Sequence, residues 1–168
     1  IDIDIESIVT PLVVLKEFLK NKNYSLYVYG SKEIKDFVSN ITNTVKDLDN
    51  SDFIIMGRVD SPAQDELDAI AEFIKSGVRG ATLNKDLTYP ISPTEFKPGN
   101  GQIARYVESK SKRQLESFGK EGELYAKYFH DKNMCACINI NNFPASSVML
   151  LNASKFKHWN YDKLIDDM

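Results

Sequence analysis

Cysteine and histidine are scarce in this sequence, with two of each among 168 residues. The two cysteines, Cys135 and Cys137, are too few for a disulfide-stapled scaffold, and a chain of this length can build an ordinary hydrophobic core without one. Their spacing places both side chains on one face of a strand, which leaves a thiol switch open but favours two reduced thiols in a cytosolic protein. His130 and His158 are not spaced with Cys, Asp or Glu as zinc ligands would be, so the sequence predicts no metal site built from them.

Long apolar runs are absent as well. The longest nearly uncharged stretch, residues 138–153, is interrupted by Asn, Pro and Ser and cannot supply the roughly 20 apolar residues of a spanning helix. The first six residues alternate Ile with acidic residues, so no basic region precedes an apolar run as it would in a secretory signal. We therefore expect a cytoplasmic protein with no membrane partner. The first residue is Ile rather than Met, which leaves open that the chain is a piece of a longer protein.

Charge of one sign is not concentrated anywhere in the chain. The 21 Lys and Arg residues are scattered, and 24 Asp and Glu residues bring the formal net charge to −3. Without a basic stripe the chain cannot neutralise a phosphate backbone, so nucleic acid is excluded as a partner. Apolar residues make up 42% of the sequence and charged residues 27%, which is typical of folded globular domains and excludes wholesale disorder.

Strand-like and helix-like segments alternate along the chain. Apolar runs at residues 26–29 and 53–56 each end at a glycine, and helical spacing follows both of them. Ser7 is the predicted cap of the first helix, and Ser61 is predicted to cap the helix that Gly77 ends. This alternation predicts an α/β fold with a largely parallel sheet and helices on both faces. Helices are predicted near residues 8–19, 34–38, 62–76, 103–108, 124–128 and from Asn160, strands at 26–29, 53–56, 78–83, 115–118, 135–140 and 147–151, and a turn-rich connection at 84–99.

Most familiar catalytic motifs are missing from the sequence. There is no Gly-x-Ser-x-Gly elbow for a serine hydrolase and no Walker lysine loop for a nucleotide phosphate. Asp2 and Asp4 have the spacing of an aspartyl-phosphate pair, but no buried strand precedes them and no glycine turn follows, so the sequence disfavours a catalytic role for this pair. The Pro-Gly-Asn-Gly segment at residues 98–101 could cradle an anion with its N–H groups, although an ordinary turn is favoured there too.

An ordered series of motifs occupies residues 77–120. A helix is predicted to end at Gly77, a strand leads to Asn-Lys-Asp from residue 84, and Thr-Tyr-Pro, Lys-Pro-Gly-Asn-Gly and Phe-Gly-Lys follow from residues 88, 97 and 118. In this order the motifs resemble the haloacid-dehalogenase-like phosphatases of the NagD and nitrophenylphosphatase branch. Residues 6–10 and 27–30 are similar to the segment that enters the cap domain of that branch and to its first strand and glycine. The resemblance covers about residues 6–120.

The resemblance implies a cap-like α/β domain over residues 1–120 of a magnesium-dependent hydrolase of small phosphomonoesters. Residues 121–168 would be a divergent C-terminal segment that packs on the cap or is a remnant of the core domain. Lys120 would be catalytic, and the substrate would contact Asn84, Asp86 and Tyr89. A complete enzyme of this kind would hold Mg²⁺, bind a small phosphorylated metabolite through its core domain and allow a homodimer through the cap. This chain by itself would bind no metal.

The sequence also departs from the pattern of this branch. Leu83, Pro11 and Glu121 stand where Thr, Ser and Pro are usual, and residues 138–144 offer no carboxylate to a metal. Because the nucleophile strand of the family is missing too, we expect a cap that confers selectivity and closure while the bond-making groups lie elsewhere. A noncatalytic α/β binding module derived from the same family is the alternative.

Each predicted site residue also has a plain structural explanation. Asn84 and Asp86 are residue types that stabilise tight turns, and we favour that role for both. Lys120 is equally well explained as an ordinary surface lysine. Tyr89 either fills the core or offers its ring and hydroxyl to a ligand, and we expect it to be partly exposed on a concave edge near residues 98–101.

Overall fold

The computed structural model of the chain describes residues 8–132. The strands predicted at 135–140 and 147–151, the helix predicted from Asn160, the cysteine pair, His158 and the acidic pair near the start all lie outside the described residues. Between residues 8 and 132 the elements are, in order, α1 Pro11–Leu19, β1 Leu26–Tyr29, α2 Lys32–Ser39, β2 Thr44–Val45, a 3₁₀ turn Leu48–Asn50, β3 Phe53–Met56, α3 Gln64–Ser76, β4 Arg79–Thr82, β5 Thr88–Pro90, β6 Phe96–Pro98, α4 Asn100–Ser111, β7 Glu116–Ser117 and α5 Glu123–Asp131.

Five strands form one parallel sheet in the order β2-β1-β3-β4-β7. β3 lies at the centre, and all four of its residues are buried because a central parallel strand is covered on both faces. β5 and β6 form a separate antiparallel hairpin in which Tyr89 lies opposite Lys97.

Two hydrophobic cores flank the sheet. One face is covered by α1, α2 and α5, which bury Leu15, Val38 and Phe129. The opposite face is covered by α3 and α4, which bury Ile70 and Val107. The predicted α/β fold, with a parallel sheet and helices on both faces, is thereby confirmed.

α5 shares its core with α1. Tyr125 and Phe129 of α5 are buried in the same cluster as Leu15, and the Lys132 ammonium lies 3.4 Å from the Glu17 carboxylate of α1. Within the described residues the core therefore continues past residue 120, and the domain boundary proposed there stays a prediction.

The start of α1 differs from the sequence prediction. Thr10, and not Ser7, is the cap, and its hydroxyl oxygen accepts a hydrogen bond from the Val13 amide at 3.4 Å. Pro11 is the first helical residue, where its missing N–H costs nothing because the first N–H groups of a helix have no partner within the helix.

The start of α3 also differs from the prediction. The helix begins at Gln64 behind Ala63, two residues beyond the predicted Ser61 cap. This start places two acidic residues in the first turn, where their charges stabilise the positive end of the helix dipole. Gly77 ends the helix as predicted, with a φ of 119° that glycine adopts readily.

Two features were not predictable from periodicity. β2 is two residues long, and the hairpin of β5 and β6 has Pro at the end of each strand, so neither contains a run of alternating apolar residues. Both depend on pairing with a neighbour rather than on local propensity. The connection predicted to be turn-rich at residues 84–99 therefore includes an ordered hairpin.

The helices of this part of the chain are short. They range from eight residues in α2 to thirteen in α3. Within residues 8–132, none is long and apolar enough to cross a membrane.

Candidate functional site

The carboxyl ends of the parallel strands all lie at one edge of the sheet. We call the segments that follow β1, β3, β4 and β7 the carboxyl edge, which comprises residues 30–31, 57–60, 84–89 and 119–121. The strand order reverses between β1 and β3, because the chain first moves outward to β2 and then returns to the other side of β1. Open α/β sheets bind their ligands outside the carboxyl ends of the strands at such a reversal. The carboxyl edge is therefore the candidate site.

Two of the predicted site residues meet at this edge. The Lys120 ammonium lies 3.3 Å from the Asp86 carboxylate, and the two side chains are 29% and 32% exposed. Lys120 comes three residues after the end of β7 and Asp86 four residues after the end of β4. The pair therefore joins two neighbouring strand ends that are far apart in sequence. Its position near the surface makes its contribution to stability small.

Asn84 is fixed through its backbone. The side-chain amide of Asn100 donates hydrogen bonds to the Asn84 carbonyl at 3.0 Å and to the Thr82 hydroxyl at 2.7 Å. Among the described residues, the side-chain oxygens of Asn84 and Asn100 are buried without a hydrogen-bond partner. Asn84 thus belongs to the hydrogen-bonded end of β4, while its own side-chain oxygen remains an unused acceptor.

The Pro-Gly-Asn-Gly turn packs directly against the chain that follows β4. A side-chain carbon on Gly99 would lie 2.2 Å from the Asp86 carbonyl oxygen, and one on Gly101 would lie 2.2 Å from the Lys85 carbonyl oxygen. The Gly101 amide donates a hydrogen bond to the Asp86 carbonyl at 2.8 Å. The backbone of residues 85–86, and not an anion, occupies the space in front of these glycines. The interpretation as a turn is therefore the correct one.

The turn that carries Lys120 is held by its own side chains. The Ser117 hydroxyl donates a hydrogen bond to the Glu121 carboxylate and accepts one from the Gly119 amide at 3.1 Å. A side-chain carbon on Gly119 would come within 3.0 Å of the Asn84 Cα. Glycine at this position therefore allows the two strand-end loops to approach closely.

Tyr89 is half-buried and contacts a residue that the sequence does not single out. The guanidinium carbon of Arg58 lies 4.5 Å from the centre of the Tyr89 ring. Arg58 follows β3 directly after Gly57, and its carbonyl accepts a hydrogen bond from the Ser31 amide at 3.0 Å. The signal that could have found it is its place immediately after an apolar strand and a glycine.

The amino ends of the strands carry a second stacked arginine. Arg79 donates hydrogen bonds to the Glu116 carboxylate at 2.6 Å and to the Tyr24 hydroxyl at 2.7 Å. Its guanidinium carbon lies 5.0 Å from the Phe18 ring centre and 4.7 Å from that of Phe53. The hydrogen bonds with Glu116 raise the pKa of Arg79. We call this cluster of Phe18, Tyr24, Phe53, Arg79 and Glu116 the amino-edge cluster.

The described residues do not fit a magnesium site. Between residues 8 and 132 no three side chains of Asp, Glu, His or Cys lie close enough together to hold a metal ion. Asp86, the predicted acidic site residue, lies against the Lys120 ammonium, which opposes binding of a cation there. The Mg²⁺ expected of a complete enzyme therefore has no ligand set in this part of the chain.

No family model matches the chain. The individual proteins that it resembles include several phosphatases. The acid sugar phosphatase of Staphylococcus haemolyticus is 24% identical over 122 residues, which are 71% of this chain and 46% of that protein. The 4-nitrophenylphosphatase of Thermotoga maritima superposes with a TM-score of 0.65 at 21% identity, covering 79% of this chain and 51% of that one.

NagD from Escherichia coli K-12 superposes equally well, with a TM-score of 0.65 at 24% identity and with the same coverage of both chains. The chain thus spans about half the length of the proteins that it matches. The resemblance predicted from the motif order is confirmed: this chain has the fold of about half of a NagD-type or 4-nitrophenylphosphatase-type protein.

Proposed function

We propose that this chain is the substrate-selectivity cap portion of a magnesium-dependent haloacid-dehalogenase-like phosphatase that acts on small phosphomonoesters. The observation that carries the proposal is the meeting of residues 84–89 with Lys120 at one edge of the sheet. These are the segments in which the motif order resembles such phosphatases. Their meeting places a lysine beside the loop expected to contact the leaving group.

The proposed roles follow from the chemistry of the side chains. Lys120 neutralises charge on the phosphoryl oxygens, as a positioned cation does in phosphoryl transfer. Asp86 keeps that ammonium in place, and Asn84 and Tyr89 contact the alcohol part of the ester. The nucleophile and the metal ligands come from outside the described residues, so the cap contributes selectivity and closure.

The wider setting of the proposal is a cytoplasmic enzyme. Its partner is a small phosphorylated metabolite that reaches the cap through a core domain. A homodimer formed through the cap is compatible with this arrangement. The fold comparisons support the phosphatase setting because the proteins that match this chain extend well beyond the matching segment.

A chimeric enzyme tests the proposal. The segment of the Staphylococcus haemolyticus acid sugar phosphatase that matches this chain is replaced by the corresponding 122 residues. We expect the chimera to hydrolyse p-nitrophenyl phosphate with Mg²⁺, whereas the 168-residue chain alone does not. Lys120→Met in the chimera should lower kcat by about 100-fold or more, and the exposed Lys75→Met should leave it unchanged.

Two outcomes would contradict the proposal. A chimera that folds but shows no activity would favour the noncatalytic binding module. A Lys120→Met chimera as active as its parent would remove the proposed role of that lysine. Circular dichroism and thermal unfolding of each variant show whether a loss of activity comes from a loss of folding.

A further inference from the structure

Two arginines of this fold stack on aromatic rings, but their hydrogen bonding differs. Arg79 in the amino-edge cluster uses three of its nitrogens on Glu116 and Tyr24. Within residues 8–132, the Arg58 guanidinium donates no hydrogen bond and has only an ion pair with Asp60 at 3.5 Å. Those two side chains are 47% and 79% exposed, so their attraction is weak. Arg58 therefore retains the N–H groups that Arg79 has already used.

The contact between Arg58 and the Tyr89 ring takes up none of the N–H groups of Arg58. A guanidinium contacts an aromatic ring with its flat face, while its five N–H groups point outward in its own plane. Tyr89 thus limits the rotation of the side chain without consuming a donor. A carboxylate or phosphate group is the acceptor that matches two parallel N–H groups of this kind.

The base of Arg58 is fixed by its neighbours. A side-chain carbon on Gly57 would lie 2.6 Å from Ile34 Cδ1 of α2 and 3.1 Å from Cδ1 of Leu83, the residue after β4, so the chain packs closely against both side chains at this point. The hydrogen bond from the Ser31 amide to the Arg58 carbonyl ties the next residue to the loop after β1. Arg58 therefore projects from a defined position at the reversal of strand order.

Arg58 and Lys120 occupy different strand ends of the same edge. β4 lies between β3 and β7, so the ends that carry the two cations are roughly 10 Å apart. Residues 86–89 bridge the gap, with Asp86 against Lys120 and Tyr89 against Arg58. Residues 86–89 thus contact both cations, and a ligand that extends along this edge would meet the two of them.

We propose that Arg58 binds an oxyanion on the alcohol part of the substrate. The substrates of the site are then phosphomonoesters that carry a second acidic group, either a carboxylate or another phosphate. The inference rests on the proposed function in one respect, since Lys120 receives the phosphoryl end. It adds a residue and a substrate class that the motif resemblance does not supply.

Binding to the 168-residue chain tests this proposal without requiring turnover. Three ligands of matched length are titrated by calorimetry: butyl phosphate, 3-carboxypropyl phosphate and butane-1,4-diol bisphosphate. We expect the two ligands with a second acidic group to bind about tenfold more tightly than butyl phosphate. All three share the phosphate contact, and the second group adds a charge-assisted bidentate contact with Arg58. A preference for one acidic ligand over the other identifies the second group as carboxylate or phosphate.

Variants of the chain assign the preference to Arg58. The affinity ratio compares each ligand that has a second acidic group with butyl phosphate. Arg58→Gln should reduce this ratio to about one, and the exposed Lys75→Gln should leave it at about tenfold. Lys120→Gln should weaken all three ligands by the same factor and keep the ratio. Asp60→Asn, which removes the competing carboxylate from an exposed position, should raise the ratio about twofold and serves if Arg58→Gln fails to fold.

The proposal is overturned if the native ratio is one, if none of the three ligands binds, or if the ratio persists in Arg58→Gln. These results are distinct from failure of the proposed function. An inactive chimera would leave the binding ratio unchanged, and a ratio of one would leave the activity of the chimera unchanged.

Discussion

The two edges of the sheet use similar residues in different ways. At the amino ends, Arg79 is surrounded by aromatic rings and its donors are taken by Glu116 and Tyr24. At the carboxyl ends, and counting only contacts among residues 8–132, Arg58 has a single ring beside it and Lys120 has one partly exposed carboxylate partner. A cation whose hydrogen bonds are complete stabilises the fold, whereas one with unused donors can still bind a ligand. Arg79 therefore belongs to the cations that stabilise the fold, whereas Arg58 retains N–H groups that a ligand could use.

The packing of the carboxyl edge gives the largest expected change. Gly101→Ala would place a methyl group 2.2 Å from the Lys85 carbonyl oxygen, and backbone cannot move aside as a flexible side chain can. We expect a loss of about 3 kcal/mol in the free energy of unfolding, measured by urea denaturation. Gly77→Ala is the control, because its φ is strained but its surroundings are open, and it should cost about 1 kcal/mol. Equal losses for the two variants would contradict the close contact at Gly101.

The amino-edge cluster should be the next most sensitive. Arg79→Met leaves the Glu116 carboxylate and the Tyr24 hydroxyl without their partner, and we expect a loss of about 2 kcal/mol in the free energy of unfolding. The exposed Arg105→Met on α4 is the matched control and should change stability by less than about 0.5 kcal/mol. If Arg79→Met is as mild as the control, the cluster does not stabilise the fold and the contrast between the edges fails.

Tyr29, at the end of β1, tests burial of an unused polar group. Its hydroxyl is buried without a well-formed hydrogen bond among the described residues; burial raises the pKa of Tyr29, and the nearby Ala63 backbone lowers it by less. Above about pH 10 the unfolded chain releases a phenol proton that the folded chain keeps, so stability falls as the pH rises.

Tyr29→Phe should therefore raise the free energy of unfolding by about 1 kcal/mol at neutral pH and make its decline above pH 10 shallower. Burial also raises the pKa of Tyr27 and Tyr125, so a residual slope should remain. A variant that is less stable than the native chain at pH 7 would show that the hydroxyl has a favourable partner.

The smallest stability effects are expected for the cations of the carboxyl edge. Arg58→Gln and Lys120→Gln should each change the free energy of unfolding by no more than about 0.5 kcal/mol, since each removes a single exposed or partly exposed ion pair. The stabilities of Arg58→Gln, Lys120→Gln and Arg79→Met are measured by thermal unfolding under the same conditions. Losses near that of Arg79→Met would mean that these cations are structural after all.

Much of the fold could be predicted because its signals are local. Phe53–Met56 and the apolar spacing before Gly77 specify a buried strand and a helix without reference to other parts of the chain. β2 could not be found in this way, because Thr44 and Val45 become a strand only through pairing with β1. The cap of α3 was misplaced because Ser61 offers the same local signal as a true cap.

The candidate site was predictable only in part, and for a similar reason. The motif order pointed to Asp86 and Lys120, but their pairing depends on the adjacency of β4 and β7, which no local pattern contains. The position of Arg58 after an apolar strand and a glycine is a local signal, but its contact with Tyr89, 31 positions further along the sequence, is not. Whether the N–H groups of a charged side chain already have partners depends on contacts between distant segments. Such contacts follow from the topology of the fold rather than from sequence periodicity.

The hairpin of β5 and β6 is anchored at its base and exposed at its tip. The Gly99 amide donates a hydrogen bond to the Leu87 carbonyl and the Gly101 amide donates one to the Asp86 carbonyl, and these bonds hold the base, whereas Ile91 and Phe96 near the tip are exposed. In a hydrogen-exchange experiment we expect the Gly101 amide to exchange only with global unfolding, and the tip amides to exchange orders of magnitude faster through local opening. Under the proposed function, the tip then adjusts to leaving groups of different shape on a fast timescale, while Asp86, the partner of Lys120, stays in place.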